Sequence, residues 1–144
     1  MNKITSVDVI SYLLILLFLY TGMGKLMALD VFREQLSRQP FLHPYVGFIT
    51  FAVPVLELLI AGSLFTRKFK REGLYASFFL MAAFTFYVGY MLSAMSLKEL
   101  PCSCGGIIKS MSWRQHLVFN TLVTFLALVG IWKERADSYK LKSS

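Results

Sequence analysis

The sequence predicts an all-α integral membrane protein, a bundle of four transmembrane helices, and three observations carry that prediction. Four apolar stretches lie at roughly 7–29, 46–65, 73–95 and 113–132. Each matches the about 20 residues a helix needs to cross the hydrocarbon core. Hydrophobic residues make up 56% of the chain and charged residues 16%, against roughly 45–50% and 25% in soluble domains. The basic residues gather mostly between the apolar stretches, where lysine and arginine set membrane orientation. Lipid offers the backbone no hydrogen-bond partner, so each span has to be a helix. At 144 residues the chain is expected to form one domain, residues 1–144. Its net charge of +7 follows from topology. The expected partner is the lipid bilayer, not nucleic acid.

The first span opens like a secretory signal, with Lys3 ahead of the apolar run from Val9 to Tyr20. The run continues through Thr21-Gly22-Met23-Gly24 with no small-x-small cleavage site, so it is expected to stay as a membrane helix. Gly22 and Gly24 are small enough to let a neighbouring backbone approach. Lys25 falls near the outer end and is expected to reach the headgroups, with an internal ion pair as the alternative. Asp30 to Arg38 predicts a short helix on the membrane surface, Val31, Phe32, Gln35 and Leu36 sharing its apolar face. The stretch Pro40-Phe41-Leu42-His43-Pro44-Tyr45 follows as an irregular segment.

The second span carries a carboxylate, Glu57, near mid-membrane. An ionisable group there is costly and should face the bundle interior. Two roles fit it: a proton-linked functional acid, or a neutral acid hydrogen-bonded to another helix. Pro54, one turn earlier, frees a backbone carbonyl that such a group can use. The third span is aromatic, and Phe79, Phe86 and Tyr90 share a face at helical spacing. Lipid contact, core packing and a quinone site all fit that face. Before the fourth span, Ser112-Trp113-Arg114-Gln115 has the form of a capping box. Trp113, His116 and Asn120 then fall on one helix face.

The polar break between the third and fourth spans holds Pro101-Cys102-Ser103-Cys104-Gly105-Gly106, with both cysteines of the chain. A disulfide between them requires the chain to fold back until the Cα atoms are within about 4.4–6.8 Å. The resulting small ring is strained and readily reduced. Pro101 stiffens the approach to the turn, while Gly105 and Gly106 leave the sulfurs uncrowded. His43 or His116 nearby would raise the thiolate fraction. Redox exchange is one reading. Cu(I) handling with Met27, Met95 and Met111 is a second, and an inert loop staple is a third.

Orientation follows from the basic residues. The cluster Arg67-Lys68-Phe69-Lys70-Arg71 predicts a cytoplasmic turn, which places both termini in the cytoplasm. Cys102 and Cys104 then face the periplasm of a bacterial inner membrane, a compartment where disulfides persist. The tail from Lys133 onward reads as a charged, mobile, cytoplasmic segment.

With these features together the chain resembles the MauE branch of the DoxX-like membrane proteins. The shared features are the Gly-x-Lys end of the first helix (Gly22, Gly24, Lys25, Leu26) and a Pro-x-x-Glu second helix (Pro54, Glu57, Leu58). To these are added the stretch from Pro101 to Gly106 and the Trp-x-x-His-x-x-x-Asn pattern of Trp113, His116 and Asn120. The resemblance implies a four-helix inner-membrane protein that helps mature a disulfide-rich periplasmic subunit, alongside a thioredoxin-like partner. It fits Cys102 and Cys104 as the redox pair, with the second redox couple supplied by a partner, another protomer or a membrane quinone. A non-catalytic assembly subunit is the alternative.

Overall fold

The computed structural model describes residues 3–94 and 113–143 of the chain. Five α-helices account for most of the described residues: α1 (Ser6–Met27), α2 (Leu29–Ser37), α3 (Val46–Phe65), α4 (Lys70–Ala94) and α5 (Trp113–Ser143). All but α2 contain stretches long and apolar enough to cross a membrane. They pack in a ring in which α1 lies against α3, α3 against α4, α4 against α5, and α5 against α1. Only residues 66–69 join α3 to α4, a short connection of the kind that links antiparallel neighbours.

Local chemistry sets the helix ends. Thr5 caps α1, accepting from the Asp8 backbone N–H at 3.2 Å, while the Asp8 carboxylate accepts from the Thr5 N–H at 2.9 Å. The Asp8 carboxylate also pairs with Lys70 at the start of α4. That contact ties the N-terminal end of α1 to the turn carrying Arg67, Lys68 and Arg71. Buried hydroxyls inside the helices satisfy themselves on the preceding turn: Ser11 on Val7, Thr50 on Val46 and Ser77 on Gly73. A hydroxyl left bare in an apolar interior would cost about 1–3 kcal/mol, and these three avoid that cost.

The core is Leu14, Phe18, Ile60, Leu64, Leu74, Met81 and Ala127, all nearly inaccessible. Large apolar side chains also cover the outside, with Phe48 77%, Phe79 65% and Phe86 78% exposed. An apolar exterior of this extent suits lipid, not water. It also answers the aromatic face of the third span. Phe79, Phe86 and Tyr90 point outward, and Tyr90 meets the edge of Phe41 at 5.3 Å.

Two further expectations are corrected. The residues after Lys133 continue α5 as helix to Ser143; they contain strong helix formers and no Gly or Pro to stop them. In α2, Phe32 and Leu36 are buried as expected, but Val31 is exposed. The buried stripe is narrower because α2 packs over α3 through Phe32, Leu36 and Val46. The expected Ser112 cap lies outside the described residues, although α5 does begin at Trp113.

The α3–α4 corner is closely packed. A Cβ on Gly73 would stand 3.0 Å from the Leu64 backbone nitrogen, whereas one on Gly24 would meet nothing within 4 Å. Gly73→Leu is therefore expected to cost about 1–3 kcal/mol or more through overpacking. Gly24→Ala should be neutral or stabilising by up to about 1 kcal/mol. Thermal unfolding of the two variants in detergent distinguishes them.

A polar cavity between the helices

Near the last turn of α1, the Lys25 ammonium lies 3.0 and 3.1 Å from the two carboxylate oxygens of Glu57. The pair is internal, with side chains only 12% and 3% exposed. Lys25 thus turns inward, and Glu57 takes its ammonium as partner. Two features turn Lys25 inward. α2 folds back over the end of α1 and sets the Phe32 ring 5.8 Å from the ammonium, shielding it. Gly22, one turn before Lys25, lets α3 come close: a Cβ there would stand 3.2 Å from Leu58 and 3.3 Å from the Pro54 carbonyl oxygen. Of the two expected small-residue contacts, only the one at Gly22 is made.

The ion pair forms part of the wall of a cavity of about 330 Å³. Its apolar lining includes Phe18, Val53, Phe84 and Phe119, and its polar lining includes His116 and Asn120. These last two are one turn apart on α5 and share a face. Asn120 is 3% exposed. Its amide nitrogen Nδ2 and the Nδ1 of His116 are buried without a hydrogen-bond partner among the described residues. The two side chains therefore do not satisfy each other through those atoms. Over the cavity, the Tyr87 hydroxyl of α4 donates to Gln39 Oε1, and Gln39 is 1% exposed. That bond pins the segment after α2 across the bundle.

The structure thus gathers Lys25, Glu57, His116 and Asn120 around one space, with Gly22 and Pro54 at the contact beside it. His43 is elsewhere: it is exposed in a short 3₁₀ segment, His43–Tyr45, beside Asp30, Arg33 and Glu34. Met27 is 82% exposed. Pro101, Cys102, Cys104, Gly105 and Gly106 lie outside the described residues, as do Met95, Met111 and the side chain of Trp113. Among the described residues, no three His, Cys, Asp or Glu side chains cluster as a metal site would need. Gln39 and Tyr87 were not singled out from the sequence. They are 48 positions apart, and no local pattern links them.

These features define a multi-pass membrane protein with an internal ion pair beside a cavity that is partly open. A family model described as methylamine utilisation protein MauE matches residues 1–133, and the chain belongs to that family. Neither the curated proteins nor the solved structures compared with the chain gave a match.

The ion pair predicts a non-additive mutational response. Removing one member of a buried pair leaves the other charge uncompensated and costs about 3–5 kcal/mol, whereas replacing both with apolar groups is often neutral. Lys25→Met and Glu57→Leu should each lower Tm markedly. The double variant Lys25→Met/Glu57→Leu should recover most of that loss. Unfolding curves in one detergent test this; a double variant as unstable as the sum of the singles would count against the pairing.

Proposed function

We propose that this MauE-family protein is a membrane thiol–disulfide redox protein that exchanges electrons with a periplasmic thioredoxin-like partner and so supports maturation of periplasmic proteins. The observation that carries this reading is the isolated pair Cys102 and Cys104, one residue apart in the polar break between two membrane spans. In the exchange, a thiolate of the reduced partner attacks one sulfur of the Cys102–Cys104 disulfide and releases the other as a thiolate. The partner's second thiol then resolves the mixed disulfide. The partner leaves oxidised and the chain holds a dithiol, so two electrons and two protons have moved. The reverse sequence reduces the partner.

The placement of the flanking helices supports this reading. α4 ends at Ala94 and α5 begins at Trp113, at the end of the bundle that holds the cavity. His116, a group able to assist thiolate formation, lies in the first turn of α5. We assign residues 96–112 to the periplasmic side of a bacterial inner membrane. The N-terminus, the 66–72 turn and the C-terminal tail are assigned to the cytoplasm. The Asp8–Lys70 contact supports that assignment by holding the start of α1 beside the basic turn, where the positive-inside tendency applies. The family's description, methylamine utilisation, suggests a pathway whose periplasmic proteins the chemistry would serve.

Two measurements test the proposal. A membrane-impermeant thiol reagent applied to intact spheroplasts after reduction should label Cys102 or Cys104; labelling only after lysis would reverse the orientation. Cys102→Ser and Cys104→Ser, tested separately, remove one resolving thiol each. One of them should accumulate a disulfide-linked thioredoxin-like protein on a non-reducing gel, lost on adding reductant. If neither traps a partner and the wild-type pair resists strong reductant, the cysteines are a structural staple and the redox proposal fails.

A further inference from the structure

We propose that the cavity between α1, α3, α4 and α5 is a binding site for the head group of a membrane quinone, with Asn120 and His116 as its polar contacts. The cavity holds about 330 Å³, at the small end of the range for ligand sites. It accommodates a substituted ring and the start of a tail, not a whole lipid. It is partly open, so the remainder of a tail has a way out. Phe18, Phe84 and Phe119 in its lining give a planar ring aromatic surfaces to pack against.

The polar atoms narrow the ligand class. Asn120 Nδ2 is a buried donor without a partner, and His116 Nδ1 is a second unpartnered nitrogen on the same helix face. A buried polar atom left unpaired costs about 1–3 kcal/mol, so the pair is best accounted for as contacts kept for a ligand. The donor amide calls for an acceptor oxygen, and a neutral or protonated imidazole nitrogen takes a second polar atom of the same head group. The ligand should be uncharged. The Lys25 charge in the wall is already matched by Glu57 at 3.0 Å, and a fatty acid or phospholipid head group would bring an uncompensated charge into a buried space. A lipid-soluble, neutral, planar ring bearing carbonyl oxygens is a quinone.

Binding rests on the cavity alone. Its use as electron acceptor rests on the thiol reading above: the Cys102–Cys104 dithiol would become a disulfide while the quinone takes two electrons and two protons to become a quinol. The quinone is the oxidant, and the partner's electrons leave through the membrane.

The test uses the full-length protein in detergent and decylubiquinone as probe, with binding followed by equilibrium dialysis. Saturable binding is expected, weakened at least tenfold in Asn120→Leu, which removes the amide while keeping the bulk. Because this substitution deletes an unpartnered buried group, Tm should stay level or rise, so weakened binding will not reflect misfolding. Phosphatidylglycerol and oleate should not compete. Absence of saturable binding, equal affinity in Asn120→Leu, or displacement by phosphatidylglycerol would each overturn the assignment. Ala83→Trp supplies a second, independent variant: it places bulk at the cavity wall and should also weaken the probe at least tenfold. If quinone binding fails while the cysteine variants still trap a partner, only this site falls. If trapping fails while Asn120-dependent binding persists, the site stands and the thiol reading falls.

Discussion

The Lys25–Glu57 ion pair is the constraint on which the upper half of the bundle depends. Two opposite charges inside a membrane protein are tolerable only as a matched pair, because each alone would keep the desolvation cost without the Coulomb gain. The match requires α1 and α3 to approach closely, and Gly22 against Pro54 and Leu58 provides that approach. It also requires the end of α1 to be covered, and α2 supplies the cover through Phe32 and Leu36. Glu57 lies eleven residues after Val46, the first residue of α3, roughly 16 Å along the axis by the helix rise. For Lys25 to meet it, α1 must end below the start of α3. The segment from α2 to His43 then fills the step, and the Tyr87–Gln39 bond holds it there.

That step explains why a cavity exists at this end. Helices of unequal height leave space that side chains from the shorter one cannot fill, and here it is bounded by aromatic and aliphatic groups. The polar atoms along its rim divide into two sets. Lys25 with Glu57 and Tyr87 with Gln39 satisfy one another and fix the architecture. His116 Nδ1 and Asn120 Nδ2 do not. A protein under selection for stability alone would place apolar groups there, since an apolar isostere removes the penalty.

Much of this fold was legible in the sequence, and the reason is physical. Lipid forces helices on any long apolar run, so the four spans could be read without knowing their neighbours. The shared face of His116 and Asn120 follows from helical spacing alone. What was not legible depends on relative height and on distant partners. Lys25 and Glu57 are 32 positions apart, and a lysine near the end of a span reads as headgroup-seeking until α2 is seen to cover it. The helical extension past Lys133 was available in principle, for its residues favour helix; charge density suggested a tail instead. Val31 looked equivalent to Phe32 until packing on α3 selected a narrower stripe. The chemistry proposed for Cys102 and Cys104 still rests on sequence, because those residues lie outside the described ones.

The two ends of the bundle differ in what lies between their helices. At the end of the basic turn, small residues are packed against large ones: a Cβ on Gly130 would meet Ile10 at 3.0 Å and Leu74 at 3.1 Å, and Gly73 is as tightly placed against Leu64. The Asp8–Lys70 pair and the capped start of α1 close that end. At the other end Gly22 packs closely on Pro54 and Leu58, but Gly24 and Gly47 face open space and polar side chains line a cavity. Close packing of this kind is rigid and changes shape reluctantly. The end at the basic turn holds the helices together by direct packing, and the other end leaves a cavity beside its ion pair.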